Sequence, residues 1–188
     1  MRRHRIIQQK RLVLVGCEGS SEVSYAALLQ EIVKDSDLPV ALKIEELSPG
    51  AGDAFSRVQL LVKKIDHHNK RGSRFSGDDR FAFLDFSQPA NGQDRVQAAE
   101  GLANQHSVSI VWQRPCFEAN LLRHFDGQIN REIAGTEAAM TELRRHWPSY
   151  SKPMSKAQLL QKINRKQIVR LATVEQNLGR LLHRLRLM

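Results

Sequence analysis

Three stretches of this chain are almost unbroken apolar runs: LVLVG at residues 12–16, RFAFLDF at 80–86 and VSIVW at 108–112. A strand with one wet face alternates apolar and polar side chains. A run without a polar face predicts a strand covered on both sides. A fourth strand is expected at residues 40–47, VALKIEEL, on its alternation. The segments between them have crossover length and helical periodicity. Residues 22–34 put Ala26, Leu29, Ile32 and Val33 on one face, with Ser20 or Ser21 as N-cap and Glu22 in the first turn. Residues 54–67 do the same with Phe55, Val58, Leu61, Val62 and Ile65, followed by a polar loop at 69–79. Helices are also expected at 91–105 and at 115–125, the latter with Pro115 near its first position. Strands separated by helices of this length pair in parallel. The predicted fold class is therefore α/β, a mostly parallel four-stranded sheet with flanking helices.

After Phe125 the strand pattern stops. Helices are expected at 131–147 and roughly 155–187, joined by the breaker WPSYSKP. In the last one Leu171, Val174, Leu178, Leu181 and Leu185 recur at three and four residues, a short heptad seam. It reads as a helix packed on the core; the alternative is a homodimer formed through that helix. The chain thus divides into an α/β core over residues 11–126 and a helical extension over 127–188.

Charge follows this division. Residues 1–11 carry five basic and no acidic side chains, residues 12–143 carry 13 basic against 19 acidic, and residues 144–188 carry 11 basic against one acidic, Glu175. A basic end on an acidic body is the electrostatic footprint of a polyanion partner, most often nucleic acid; the alternative is a solvated, Arg-rich helix. No apolar run reaches the roughly 18 residues of a membrane span. The start, MRRHRIIQQK, has no apolar core and no cleavage site, so it does not read as a secretory signal. Cys17 and Cys116 have no metal-ligand spacing. A cytoplasmic protein with reduced thiols is the expectation.

Ligands of open α/β sheets bind beyond the carboxyl ends of the strands. Glu18 follows the first apolar run, Asp85 closes the third strand, and Glu118 comes six residues after the fourth. If strands one and three are neighbours, Glu18 and Asp85 face each other, and close carboxylates retain a proton or a cation between them. Oxygen-only donors suit Mg²⁺, which also serves phosphodiester chemistry. The plain alternative is that each carboxylate is a solvated turn residue or a helix cap. The Gly19–Ser20–Ser21 turn lacks the Lys of a P-loop and the glycine spacing of a dinucleotide fingerprint.

Three segments together resemble a known family. GCEGSSE looks like the Glu-Gly-x-Thr-Glu signature closing the first strand in the RloB-like family and its Toprim-type relatives, with Glu18, Gly19 and Glu22 matching and Ser21 in the Thr place. FAFLDFS is similar to that family's third-strand Asp-x-Asp motif. RPCFEANLLRHF resembles its Asn-Pro-Cys-Phe-Glu…Leu-Leu-His-Phe segment, matching at Pro115, Cys116, Phe117, Glu118, Leu121, Leu122, His124 and Phe125. The resemblance spans about residues 11–125. It implies a Toprim-like core, Mg²⁺ or Mn²⁺ at the acidic positions, and a prokaryotic defence or restriction-linked setting with a partner protein of that system. It implies Glu18 as general acid/base, Asp85 as a metal ligand, and Glu22 and Glu118 as further ligands or orienting groups. Two positions depart from the pattern. Ser87 stands where a second Asp is usual, which removes one ligand, and Arg114 stands where Asn is usual. Arg114 is then expected to hold a substrate phosphate, or to pair with Glu118 or Asp85 and take the metal's place. Metal-dependent activity is accordingly retained, altered or lost.

The other candidates are read as structural. His67 and His68 are adjacent on a helix and point about 100° apart, which disfavours chelation. His124 shares a helical face with Phe117 and Leu121 and is expected to pack. Cys17 has no His placed to activate it, and Cys17 and Cys116 read as buried thiols. Trp112 and Trp147 read as packing residues. Tyr150 and Lys152, in the breaker, are weak candidates for contacting phosphate. The leading expectation is a metal-dependent nuclease with Glu18, Asp85 and Glu118 catalytic, Glu18, Asp85 and Glu22 on the metal, and Arg114 and Lys152 on substrate. The competing expectation is a catalytically degenerate nucleic-acid-binding or assembly subunit.

Overall fold

The structure is a computed structural model and describes residues 10–48, 52–73, 75–86 and 93–188. Four strands form one sheet: β1 (Arg11–Cys17), β2 (Val40–Glu46), β3 (Arg80–Asp85) and β4 (Ser109–Gln113). Their order is β2-β1-β3-β4 and every pairing is parallel. The helices α1 (Ser20–Asp35), α2 (Ala54–Lys70) and α3 (Gln93–Gln105) make the crossovers. The architecture is α/β with helices on both sheet faces, consistent with a Toprim-like core. Arg11 pairs with Val40 and Cys17 with Glu46, while Cys17 lies opposite Phe83, so β3 runs on past the end of β1 as far as Asp85.

Strand alternation divides the core in two. Val13, Val15 and Cys17 of β1 enter one cluster with α1, and Leu14 enters the other with α2 and α3. Gly16 faces α2. A Cβ there would sit 3.0 Å from both Leu47 Cδ1 and Leu61 Cδ2, so the absent side chain lets the helix lie close. Helix α1 starts two residues earlier than the sequence pattern indicates, at Ser20 rather than Glu22. Gly19 is its N-cap, without a side-chain cap, and neither Ser20 nor Ser21 plays that part. Ser21 and Glu22 are instead buried in its first turn.

Helix α4 (Phe117–Leu122) is shorter than the 115–125 segment, and Pro115 precedes it rather than opening it. Helix α5 spans Thr136–His146. The single helix expected at 155–187 is three: α6 (Lys156–Leu160), α7 (Arg165–Ala172) and α8 (Gln176–Arg184). A capping box, Ser155 with Gln158, opens the first of them. A second, Asn164 with Gln167, marks the break between α6 and α7, where local side chains take the hydrogen bonds that a continuous helix would need. The heptad seam does not form. Leu171, Leu178, Leu181 and Leu185 are buried in the cluster that holds Val13, Val15 and Phe83, while Val174 is 49% exposed. The leucines that a dimer would use are engaged by the chain's own core.

Side chains blunt both sheet edges. Gln30 Oε1 accepts from Leu42 N of β2 at 2.6 Å, and Asn177 Nδ2 donates to Ile110 O of β4 at 2.7 Å. Among the described residues, no helix is long and apolar enough to cross a membrane.

Candidate acidic site at the strand ends

The parallel sheet sends the carboxyl ends of β1, β3 and β4 to one rim, and the acidic residues singled out above gather there. Glu18 follows β1, and its backbone N donates to Phe83 O at 3.2 Å. Its Oε2 accepts from the backbone N of Asp85 at 2.9 Å, so its side chain reaches across to the end of β3. Glu22, in the first turn of α1, is only 6% exposed. Gln113 closes β4, is fully buried, and with its amide nitrogen turned to the cluster donates to Asp85 Oδ1 (3.0 Å) and Glu22 Oε1 (3.1 Å). Glu118, in the first turn of α4, has no exposed surface. Its Oε1 accepts from Tyr150 Oη at 2.9 Å and pairs with Lys152 Nζ at 2.5 Å. Its Oε2 is buried without a hydrogen-bond partner.

The electrostatics follow from crowding. Burial pushes the Asp85 carboxyl up to about 8, and the charges of Glu22, Glu18 and Glu118 add to it against the opposing pull of Lys152. Burial likewise lifts Glu22 to about 7, opposed by its backbone hydrogen bond and raised further by Glu18. Glu118 goes the other way. Burial raises it, but the hydrogen bond and charge of Lys152 and the hydroxyl of Tyr150 outweigh that and hold it below the usual range. Near neutral pH the rim therefore keeps a proton on Asp85 and shares one with Glu22, which titrates there, while Glu118 is ionised against Lys152.

Several expectations meet their outcome here. Glu18, Glu22, Asp85 and Glu118 come together. Arg114 pairs with neither Glu118 nor Asp85: it is exposed, its guanidinium 3.7 Å from the centre of the Phe86 ring. A long side chain at a rim gains more by stacking in solvent than by desolvation among the acids. Lys152 is the cation that enters. Ser87 lies outside the described residues. Gln113 and Tyr150 were missed as partners of the acids. Nothing in their spacing marks them, and only the packed chain sets Tyr150 beside Glu118. His124 is packed, with Nε2 2.9 Å from Tyr25 Oη and Nδ1 2.9 Å from Asn120 O, and burial pushes it down to about 4. Burial raises both thiols, Cys116 to about 11. Both are unsuited to nucleophilic duty.

The donor chemistry suits a hard divalent cation: all oxygens, protons retained where a cation would relieve repulsion, and an orphaned Glu118 Oε2. The disposition is less ready. Among the described residues, no group of three or more His, Cys, Asp or Glu is arranged to hold a metal ion. As it stands, the cluster is neutralised by protons, by the Gln113 amide and by Lys152. No family model, no curated protein and no solved structure matches the chain.

Proposed function

We propose that this protein is a divalent-metal-dependent phosphodiesterase acting on nucleic acid, with its active site at the acidic strand-end rim. The observation that carries the reading is that four carboxylates share a rim with one lysine, and two of them titrate near or above neutral pH. Glu18, Glu22 and Asp85 would hold Mg²⁺ or Mn²⁺, with Glu118 beside them; such an ion neutralises the charge that builds on phosphate during displacement. To hold it, Glu22 and Asp85 would have to give up their protons. Glu18 is the general acid/base, as its resemblance to the RloB-like family implies. A prokaryotic defence setting rests on that resemblance alone. Lys152, on Glu118, and Arg114, just past β4 on the Phe86 ring, are the cations that would meet a substrate phosphate.

A second reading has its own support. Lys152 Nζ on Glu118 and the Gln113 amide between Asp85 and Glu22 already satisfy much of the cluster. That arrangement suits a degenerate site in a nucleic-acid-binding or assembly subunit.

Calorimetry with Mg²⁺ and Mn²⁺ in two buffers of different ionisation enthalpy separates the two. The enzyme reading expects binding with proton release, lost in Asp85→Asn, and nuclease activity lost in Glu18→Gln. Absence of binding by the wild type at millimolar metal overturns it in favour of the second reading.

A further inference from the structure

The C-terminal segment is the most basic part of the sequence, yet many of its cations are engaged internally. Lys152 is on Glu118, Lys156 is 2.7 Å from Glu31, Arg184 Nε is 2.7 Å from Asp79, and Arg170 pairs with Asp126. A different surface has cations in surplus. On β2 the even residues Leu42 and Ile44 pack toward α1, so Lys43 and Glu45 stand on the opposite face, beside α2. There Glu45 meets Lys64 at 2.9 Å, His68 at 2.9 Å and Lys43 at 3.3 Å. One carboxylate is shared by three side chains, with Lys63 and Arg71 beyond it. Burial pushes the Glu45 carboxyl up, but the hydrogen bonds from Lys64, His68 and Lys43 outweigh this and hold it at about 2.

Lys63, Lys64, His67, His68 and Arg71 follow a spacing of three and four residues and form a stripe beside the buried face of α2. With Lys43 they line an open groove of about 450 Å³ holding four fixed cations against one carboxylate. Lys43, Lys63, His67 and Arg71 are exposed. The sole acidic residue of α2, Asp66, is not among the lining residues. Residues 60–71 extend roughly 16 Å along the helix axis at about 1.5 Å per residue. That is longer than one phosphate and matches several along a strand, whose phosphates rise about 3.4 Å each.

We infer that the groove between α2 and the β2 edge is a phosphate-binding site, separate from the acidic rim, that tracks a nucleic-acid backbone. Glu45 positions Lys43, Lys64 and His68 while Lys63 and Arg71 contact phosphate. The choice of nucleic acid as the polyanion rests on the function proposed above; the site itself rests on the charge surplus and its length.

The test is fluorescence anisotropy with a labelled 20-nucleotide strand and a 20-base-pair duplex (about two helical turns), in EDTA, across a salt series. Lys63→Glu with Arg71→Glu is expected to weaken duplex binding at least ~10-fold and to flatten the log–log salt slope by about 1.8, at about 0.9 per lost contact. Lys162→Glu with Lys166→Glu, matched in charge on the C-terminal segment, is expected to cost under ~3-fold, because contacts and not net charge set the slope. Equal losses from the two pairs overturn the site, as does unchanged affinity in the first. Absence of binding to either oligonucleotide by the wild type overturns nucleic acid as its ligand, whether or not inorganic phosphate shifts the amide resonances of Lys43 and Lys64. With metal chelated, failure of the nuclease reading leaves this result intact.

Discussion

Asp85 and Glu45 are both partly buried carboxylates on strands of one sheet, and their acidities move in opposite directions. Asp85 is raised to about 8 and Glu45 is held at about 2. Burial pushes both upward, so burial does not explain the difference. The neighbours do. Asp85 sits among Glu22, Glu18 and Glu118 with one lysine opposing them, whereas Glu45 receives hydrogen bonds from Lys64, His68 and Lys43. One region is short of positive charge and the other has it in excess. The first suits a cation, the second an anion.

The largest expected effect concerns the crowded rim. Asp85 and Glu22 have folded-state acidities raised above their ordinary values, to about 8 and about 7. Their contribution to stability is full below the ordinary carboxylate range and is lost as pH rises through 7 and 8. Urea unfolding without metal should show the wild type losing up to about 7 kcal/mol between pH 5 and pH 9, from about three pH units of Asp85 titration and about two of Glu22, each unit corresponding to about 1.4 kcal/mol. Asp85→Asn should remove most of that slope. A flat wild-type profile would mean that the acids do not crowd one another and would break the comparison.

Next comes the pair that relieves the rim. Lys152→Met leaves the Glu118 carboxylate buried without its cation. Breaking a fully buried pair costs about 3–5 kcal/mol, and the half-exposed Lys152 side chain reduces this to about 2 kcal/mol. Adding Glu118→Gln should recover part of the loss, and a double-mutant cycle reads the coupling directly. Additive single losses would show that Lys152 does not serve Glu118.

The smallest effect is at the cation-rich edge. Glu45→Gln should cost about 1 kcal/mol at neutral pH, the scale of a partly exposed ion cluster. The sign reverses relative to the rim. Glu45 is lowered from 4.5 to about 2, so its contribution is present above pH 4.5 and disappears as pH falls toward 2. Acid titration of stability should show this increment in the wild type and not in Glu45→Gln.

Reading residues in order was enough to find Glu18, Asp85 and Glu118, because each lies at or just past an apolar strand and parallel strands present their ends on one side. It did not find Gln113 or Tyr150. Gln113 is one polar residue closing a buried strand, and Tyr150 meets Glu118 across 32 positions. The leucines of the last segment show the complementary failure. Their spacing suits a continuous seam, but α7 ends at Ala172 and α8 begins at Gln176, so the chain turns at residues 173–175, between Leu171 and Leu178. Each leucine then packs into the chain's own core instead of along one helix.

By itself, then, the sequence determined three buried strands and a half-exposed fourth, their parallel order of connection and the helices that cover them. Apolar runs, helical spacing and crossover length are properties of neighbouring residues. Only the tertiary structure decided which charges share a volume: Lys152 rather than Arg114 at the acids, and Lys43 with Lys64 and His68 around Glu45. Electrostatic energy depends on distance through space, and folding sets those distances between residues far apart in the chain.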